Sequence, residues 1–248
     1  MSNTALWIVQ QACGELGLPV PNSLTSSTQE TNTQMLALLN SAGIDIISNF
    51  QWEEMTKQFN FLTVLDKGEY ALPTDYNYFI DSTGWDNTNR WPLLGPVSVQ
   101  EWNALVAAKV TAVSRTYYKI QQKKIHIWPI PTLPNGMNGN PPTDGRDLVL
   151  TYGSTFWVQS GTDPLVFQDS IINDQDVPVV NAWLLVKFLK LKMWGAKGFD
   201  TTALAGDFKV AFESYAAKSK GSRVLSLAPK TGAVFIGVQN VPPGNWIR

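Results

Sequence analysis

The chain has 248 residues, 44% of them hydrophobic and only 16% charged, with a formal net charge of −1. That length can bury a sizeable core in one large or two modest domains, and the composition excludes wholesale disorder. Near-neutrality excludes a general pull towards nucleic acid or acidic lipid, and a single cysteine, Cys13, excludes an internal disulfide.

On so charge-poor a chain, 10 Trp, 7 Tyr and 11 Phe predict aromatic area left exposed on a lone subunit, a hint of assembly. The first residues have no cationic start and no long apolar run, so no signal peptide is expected. No window reaches the roughly eighteen apolar residues of a transmembrane helix, and the expectation is a soluble protein made in the cytoplasm.

Leu6, Val9, Cys13 and Leu16 recur at helical spacing over 4–17, and Gly17 with Pro19 ends the run. Cys13 lies on the apolar face, as an inert packing residue would. After a loop rich in Pro, Ser and Thr, Ser27 and Glu30 have the form of a capping box. The next helix, roughly 29–49, carries Met35, Leu36, Leu39, Ala42, Ile46 and Ile47 on one stripe. This hairpin needs an apolar cover from elsewhere.

From 51 to 165 the grammar is that of strands. Phe59, Phe61 and Val64 partly alternate, Asp66-Lys67-Gly68 makes a turn, and Tyr70–Leu72 resumes. Residues 86–89 turn between Trp85 and Trp91. Ser98 opens a short helix to about Ala107 through a second capping-box form. Two strands, 115–121 and 124–128, flank a Gln-Lys turn, and a Pro/Gly/Asn loop follows. Leu148–Tyr152 and Thr155–Gln159 read as a last pair of strands. Short strands at this spacing predict an antiparallel sandwich or barrel.

Helical period returns at Val177–Trp194, apolar on nearly every side and so packed against several neighbours. Asp176 is placed to cap it, Pro178 to fill its first turn, and Gly195 and Gly198 to stop it. Lys187, Lys190 and Lys197 share one edge, which is expected to meet water or an acidic partner. A final helix, roughly 201–220, buries Leu204, Phe208, Ala211, Phe212 and Tyr215. An apolar, Pro-Gly-rich arm covers 229–248. The predicted class is α+β: a helical bundle from both ends of the chain (1–50 and 170–228), an inserted β domain (51–169) and an extended arm.

Most catalytic constellations fail on supply. His126 is the single histidine, in a strand-like run, so neither a triad nor an imidazole metal site is expected. P-loop and dinucleotide fingerprints are missing. The remaining enzymatic candidates are carboxylates: Asp174 with Asp176 as imagined cation ligands, and the adjacent Glu53 and Glu54, which would face opposite ways in a strand. Trp85, Trp91 and Trp102 could stack on sugars or bases, but packing explains them as well.

Over about 50–228 the order of motifs resembles the head-to-tail adaptors of short-tailed phages, also called tail tubular protein A. The resemblance runs through Gly68-Glu69-Tyr70, Leu72-Pro73-x-Asp75-Tyr76, the Trp85–Trp91 hairpin, Leu93-x-Gly95 and the helix with Trp102. It continues with Tyr118-Lys119-Ile120, Trp128-Pro129-x-Pro131, Leu148–Tyr152, Asp174-x-Asp176-Val177-Pro178 and Ser222–Leu227. It implies a virion protein at the head–tail junction: a twelvefold ring beneath the portal, continuing the DNA channel and offering a platform to the next tail component. The helical part would face the portal and line the ring. No catalytic residue, metal or cofactor is implied, and DNA would pass without sequence-specific binding. On that reading Phe235, Ile236, Trp246 and Arg248 dock on the portal or an adjacent subunit, and Lys187, Lys190 and Lys197 form a channel or interface edge. Two alternatives stay open. A trimeric fibre or receptor-binding β module would differ in stoichiometry, and a carboxylate-based tail glycan hydrolase would lose turnover on substitution of Asp174 or Asp176.

Overall fold

A computed structural model describes residues 3–108, 116–132 and 144–219. Thr4 caps the first helix, α1 (Ala5–Leu16), by accepting the Trp7 amide, and Gly17 ends it at φ +67°. Helix α2 (Glu30–Asn49) follows Gln29 with no side-chain cap, so the expected capping box does not form. Ser27 lies too far ahead of the first turn, and its hydroxyl accepts the Asn32 side-chain amide at 2.8 Å instead. Glu53 and Glu54 occupy a short 3-10 turn, Glu53–Met55, and not a strand.

The β part runs β1 (Thr56–Leu62), β2 (Glu69–Ala71), β3 (Tyr76–Phe79), β4 (Trp85–Asp86), β5 (Trp91–Pro92), the helix α3 (Val99–Ala107), β6 (Tyr117–Gln121), β7 (Lys124–Trp128) and β8 (Asp147–Ser154). Ser98 caps α3 through the Glu101 amide at 3.1 Å, as expected. The hairpins β4–β5 and β6–β7 also form as read. Other pairings differ from the expectation. β1 and β2, adjacent in sequence, belong to different sheets: β1 pairs along its whole length with β8, from Thr56↔Gly153 to Leu62↔Asp147, whereas β2 pairs with β7. β3 and β4 take successive stretches of the opposite edge of β8. A second sheet has the order β2-β7-β6, and neither sheet closes into a barrel. Tyr70, Tyr118, Ile125 and Ile127 from one sheet and Phe79, Leu148, Leu150 and Tyr152 from the other share one buried cluster, which is a small sandwich.

The segment after β8 does not pair back with it. β9 (Val158–Gln159) lies between β10 (Phe167–Gln168) and β11 (Val177–Pro178) in a separate small sheet. Helix α4 (Ala182–Ala196) therefore starts five residues later than expected, because 177–178 is extended. Its cap is Asn181, whose Oδ1 accepts the Trp183 and Leu184 amides at 2.9 and 3.3 Å. Helix α5 (Thr202–Ser219) follows.

α4 is the centre of the helical part. Leu184, Leu185, Val186, Leu189 and Met193 are buried with Ile8, Val9 and Ala12 of α1 and Met35, Leu39, Ala42 and Ile46 of α2. Each buried Leu, Ile, Val or Met among them contributes about 1.5–3 kcal/mol by leaving water. Trp157 and Val158 of the small sheet and its neighbour Ile171 enter this same cluster. Gly43 lets the Trp157 ring lie against α2: a Cβ at 43 would stand 2.2 Å from Trp157 Cη2. The Trp157 indole N–H donates to the Asp169 carbonyl at 2.6 Å.

Candidate functional site

Asp174 and Asp176, the carboxylates singled out in the sequence, hold loops in place. Asp174 accepts from the Ser23 hydroxyl at 2.6 Å, the Leu24 and Thr25 amides at 3.0 Å each, and the Thr25 hydroxyl at 3.1 Å. Burial alone would raise its carboxyl, but the Ser23, Thr25 and Leu24 donors hold it below the usual aspartate range. Asp176 is fully buried and accepts from the Gly161, Ile172 and Asn173 amides at 2.8–2.9 Å and from the Gln168 side chain at 2.6 Å. With four donors apiece, both carboxylates are occupied. Among the described residues no group of three or more His, Cys, Asp or Glu could hold a metal ion. Burial pushes the Cys13 thiol up, which suits a packing residue.

The lysines of α4 fall out differently from one another. Lys187 and Lys190 are half-buried and Lys197 is exposed. Lys190 pairs with Glu15 of α1. Lys192, outside the expected edge, reaches α2, donating to Ser41 at 2.7 Å and Asp45 at 2.5 Å. Two of the helix's cations thus bridge it to its own bundle. Phe235, Ile236, Trp246 and Arg248 lie outside the described residues.

Two surfaces remain open. On the outer face of the β2-β7-β6 sheet, Lys124, His126 and Trp128 alternate with the inward Ile125 and Ile127. α3 lies over this face, with Trp102 edge-on to His126 at 6.4 Å and under the Lys119 ammonium at 4.7 Å. Between them runs a groove of about 660 Å³ that also takes in Glu69, Val106 and Ile130. His126 Nε2 is buried there with no hydrogen-bond partner among the described residues.

The other surface is α5. Its apolar stripe is the expected one, but none of its residues is buried. Phe208 stacks on Phe188 of α4 at 4.3 Å, and Phe212 meets Trp52 edge-on at 5.7 Å. Tyr215 donates to Glu54 at 3.3 Å, and burial together with that carboxylate pushes its phenol up, so it stays a neutral donor. Phe188, Phe208 and Phe212 floor a cleft of about 340 Å³ whose other walls are Asp45, Ile46 and Asn49 of α2. On the outer side Val210 is 70% exposed. Helical periodicity locates the stripe, but how far a neighbour covers it has no signature in sequence. The same holds for Leu165, 88% exposed on a loop closed by the Ser160–Val166 and Leu165–Asp163 hydrogen bonds.

A buried ion pair also escapes sequence reasoning. Arg146, 1% exposed, donates to Asp86 Oδ2 at 3.3 Å and Thr116 Oγ1 at 3.0 Å, partners 60 and 30 positions away in sequence.

No helix among the described residues is long and apolar enough to cross a membrane. A family model described as SU10 adaptor protein matches residues 3–228. No curated protein matches the chain.

Proposed function

The chain belongs to the SU10 adaptor protein family, and from that premise we propose that it is a structural protein of a phage virion whose copies close into a ring, twelvefold, between the portal and the tail. The ring continues the DNA channel used in ejection and presents a platform to the next tail component, the nozzle or tail tube. Its work is architectural and calls for no cofactor.

The observation that carries this reading is α5. Its aromatic stripe is only half covered by the described residues, and an 18-residue helix left so is suited to an interface. A ring is built from heterologous contacts, in which one subunit's surface covers a different surface of the next. The charge balance suits the channel: the chain has no cationic excess with which to grip phosphate, so duplex can slide past. Phe235, Ile236, Trp246 and Arg248 contribute to the portal or neighbour contact, and Lys187 and Lys197 sit on the channel or interface edge beside the internally paired Lys190.

Electron microscopy of purified particles, with this chain located in the map, tests the assignment. The expected result is a large ring at the vertex through which the genome leaves. A single isolated copy, or a location away from that vertex, would refute it. Deleting 229–248 should leave a folded subunit that no longer joins the portal. The open groove at Trp102 and His126 favours one alternative, a receptor-binding β module, and stoichiometry separates the two because such modules are trimeric fibres and an adaptor is a large ring.

A further inference from the structure

Charge is divided unevenly along this chain. Residues 1–219 hold all 20 acidic residues and 15 of the 19 Lys and Arg, a net of −5. The other four cations are Lys220, Arg223, Lys230 and Arg248. All four fall within 220–248, a stretch with no acidic side chain that also carries Phe235, Ile236 and Trp246. The body is acidic and its C-terminal segment is cationic and apolar.

The body has a place of matching chemistry. The α2–α4–α5 cleft has a floor of three phenylalanines, with Asp45 on its wall and Glu54 bonded to Tyr215 further along the same face of α5. Lys192 offsets part of the Asp45 charge, and among the described residues Glu54 is bonded to the Tyr215 phenol alone. Ser219, the last described residue of α5, accepts the Glu53 amide on its hydroxyl at 3.4 Å. From there residues 220–248 can span up to about 100 Å when extended, several times the roughly 30 Å of a small domain.

We propose that residues 220–248 of one copy lie in the α2–α4–α5 cleft of a second copy, covering Phe208 and Phe212 and setting Lys and Arg against Asp45 and Glu54. This rests on the ring reading and names the contact by which one subunit holds the next. The contact is heterologous, cleft to arm, so it propagates around a ring with every cleft filled. Its charged part is screened by salt, so assembly weakens as ionic strength rises.

The full chain carrying a photo-cross-linking phenylalanine analogue in place of Phe235 tests the placement. The expected product has dimer mass, and its cross-linked peptide contains residues 45–49 or 208–212. A product confined to monomer mass overturns the second-copy assignment, and cross-links to other surfaces overturn the cleft. Charge reversal gives an independent readout. Full chains carrying either Lys220→Glu with Arg223→Glu and Lys230→Glu, or Asp45→Lys with Glu54→Lys, should each assemble at least about tenfold more weakly, a change of about 1.4 kcal/mol. Mixed in equal amounts, they should assemble together, because each reversed arm then meets a reversed cleft. Folded variants that assemble normally alone, or fail to recover when mixed, overturn the proposal. Wild-type rings whose cross-links lie elsewhere sink the arm contact and leave the ring standing, whereas a folded wild-type chain that never forms a ring sinks the ring reading itself.

Discussion

Gly43→Ala puts the join between helix α2 and the small sheet to a quantitative test. A Cβ at 43 would lie 2.2 Å from Cη2 and 2.3 Å from Cζ2 of Trp157, far inside the optimum of about 3.5–4 Å for carbon atoms. Alanine gains about 1 kcal/mol over glycine in a helix interior. Against that, overpacking a tight core costs about 1–3 kcal/mol, occasionally more. The Trp157 ring cannot retreat without straining its 2.6 Å bond to the Asp169 carbonyl, a further loss of about 1 kcal/mol. The losses exceed the gain, and the net expectation is about 1–3 kcal/mol of destabilisation. Urea unfolding followed by far-UV circular dichroism and tryptophan fluorescence measures it. Gly206→Ala in α5 is the control: nothing lies within 4 Å of its added Cβ, so only the propensity gain of up to about 1 kcal/mol should remain. Trp157→Phe in the Gly43→Ala background should recover part of the loss, because the smaller ring leaves room. If Gly43→Ala proved as stable as the parent, the ring-to-backbone contact would not be what holds α2 against β9.

Three further outcomes are expected. Burial alone would raise the Asp75 carboxyl, but hydrogen bonds from Lys57, Ser154 and Tyr152 hold it below the ordinary value near 3.8. Its stabilisation is therefore present above that value and is lost as pH falls through the lower folded value. Asp75→Asn should cost about 1–3 kcal/mol near neutral pH and should flatten the fall in Tm below about pH 4, whereas an unchanged acid limb would count against this role. Asp86→Ala leaves the buried Arg146 without its carboxylate and should cost about 3–5 kcal/mol by thermal unfolding, with Arg146→Met plus Asp86→Leu recovering most of it. Gln122 and Lys123 turn the β6–β7 hairpin at φ +52° and +58°, so Lys123→Gly should stabilise by about 1 kcal/mol; a lower Tm would contradict that.

Elements built from neighbouring residues were legible in advance. Gly17, Ser98 with Glu101, and the Gln-Lys turn are local signals, and the structure uses each where it was read. Pairing at a distance was not legible. β1 finds β8 across some ninety positions, and its partly alternating Phe59 and Phe61 fit a hairpin with Tyr70 equally well. Asp176 precedes an apolar run and so imitates a helix cap, yet its four donors come from Gly161, Gln168, Ile172 and Asn173, none of them in the helix it precedes. The candidate surface was half legible. The stripe of Phe208, Phe212 and Tyr215 follows from period, but its incomplete cover depends on what lies opposite, which no window of sequence contains.

Asp174 ties the loop at Ser23–Thr25 to a residue 150 positions further on, and the opening amides of α1 bond to the carbonyls of Asp174 and Asp176. On a ribosome working at about 5–20 residues per second, the N-terminal hairpin, complete at Asn49, waits roughly 6–25 s for those partners to emerge. Throughout that interval its greasy side is bare while the sandwich is being made behind it. Nascent α1 and α2 are thus a natural client for chaperones, and a translational pause before Asp174 would lengthen their exposure.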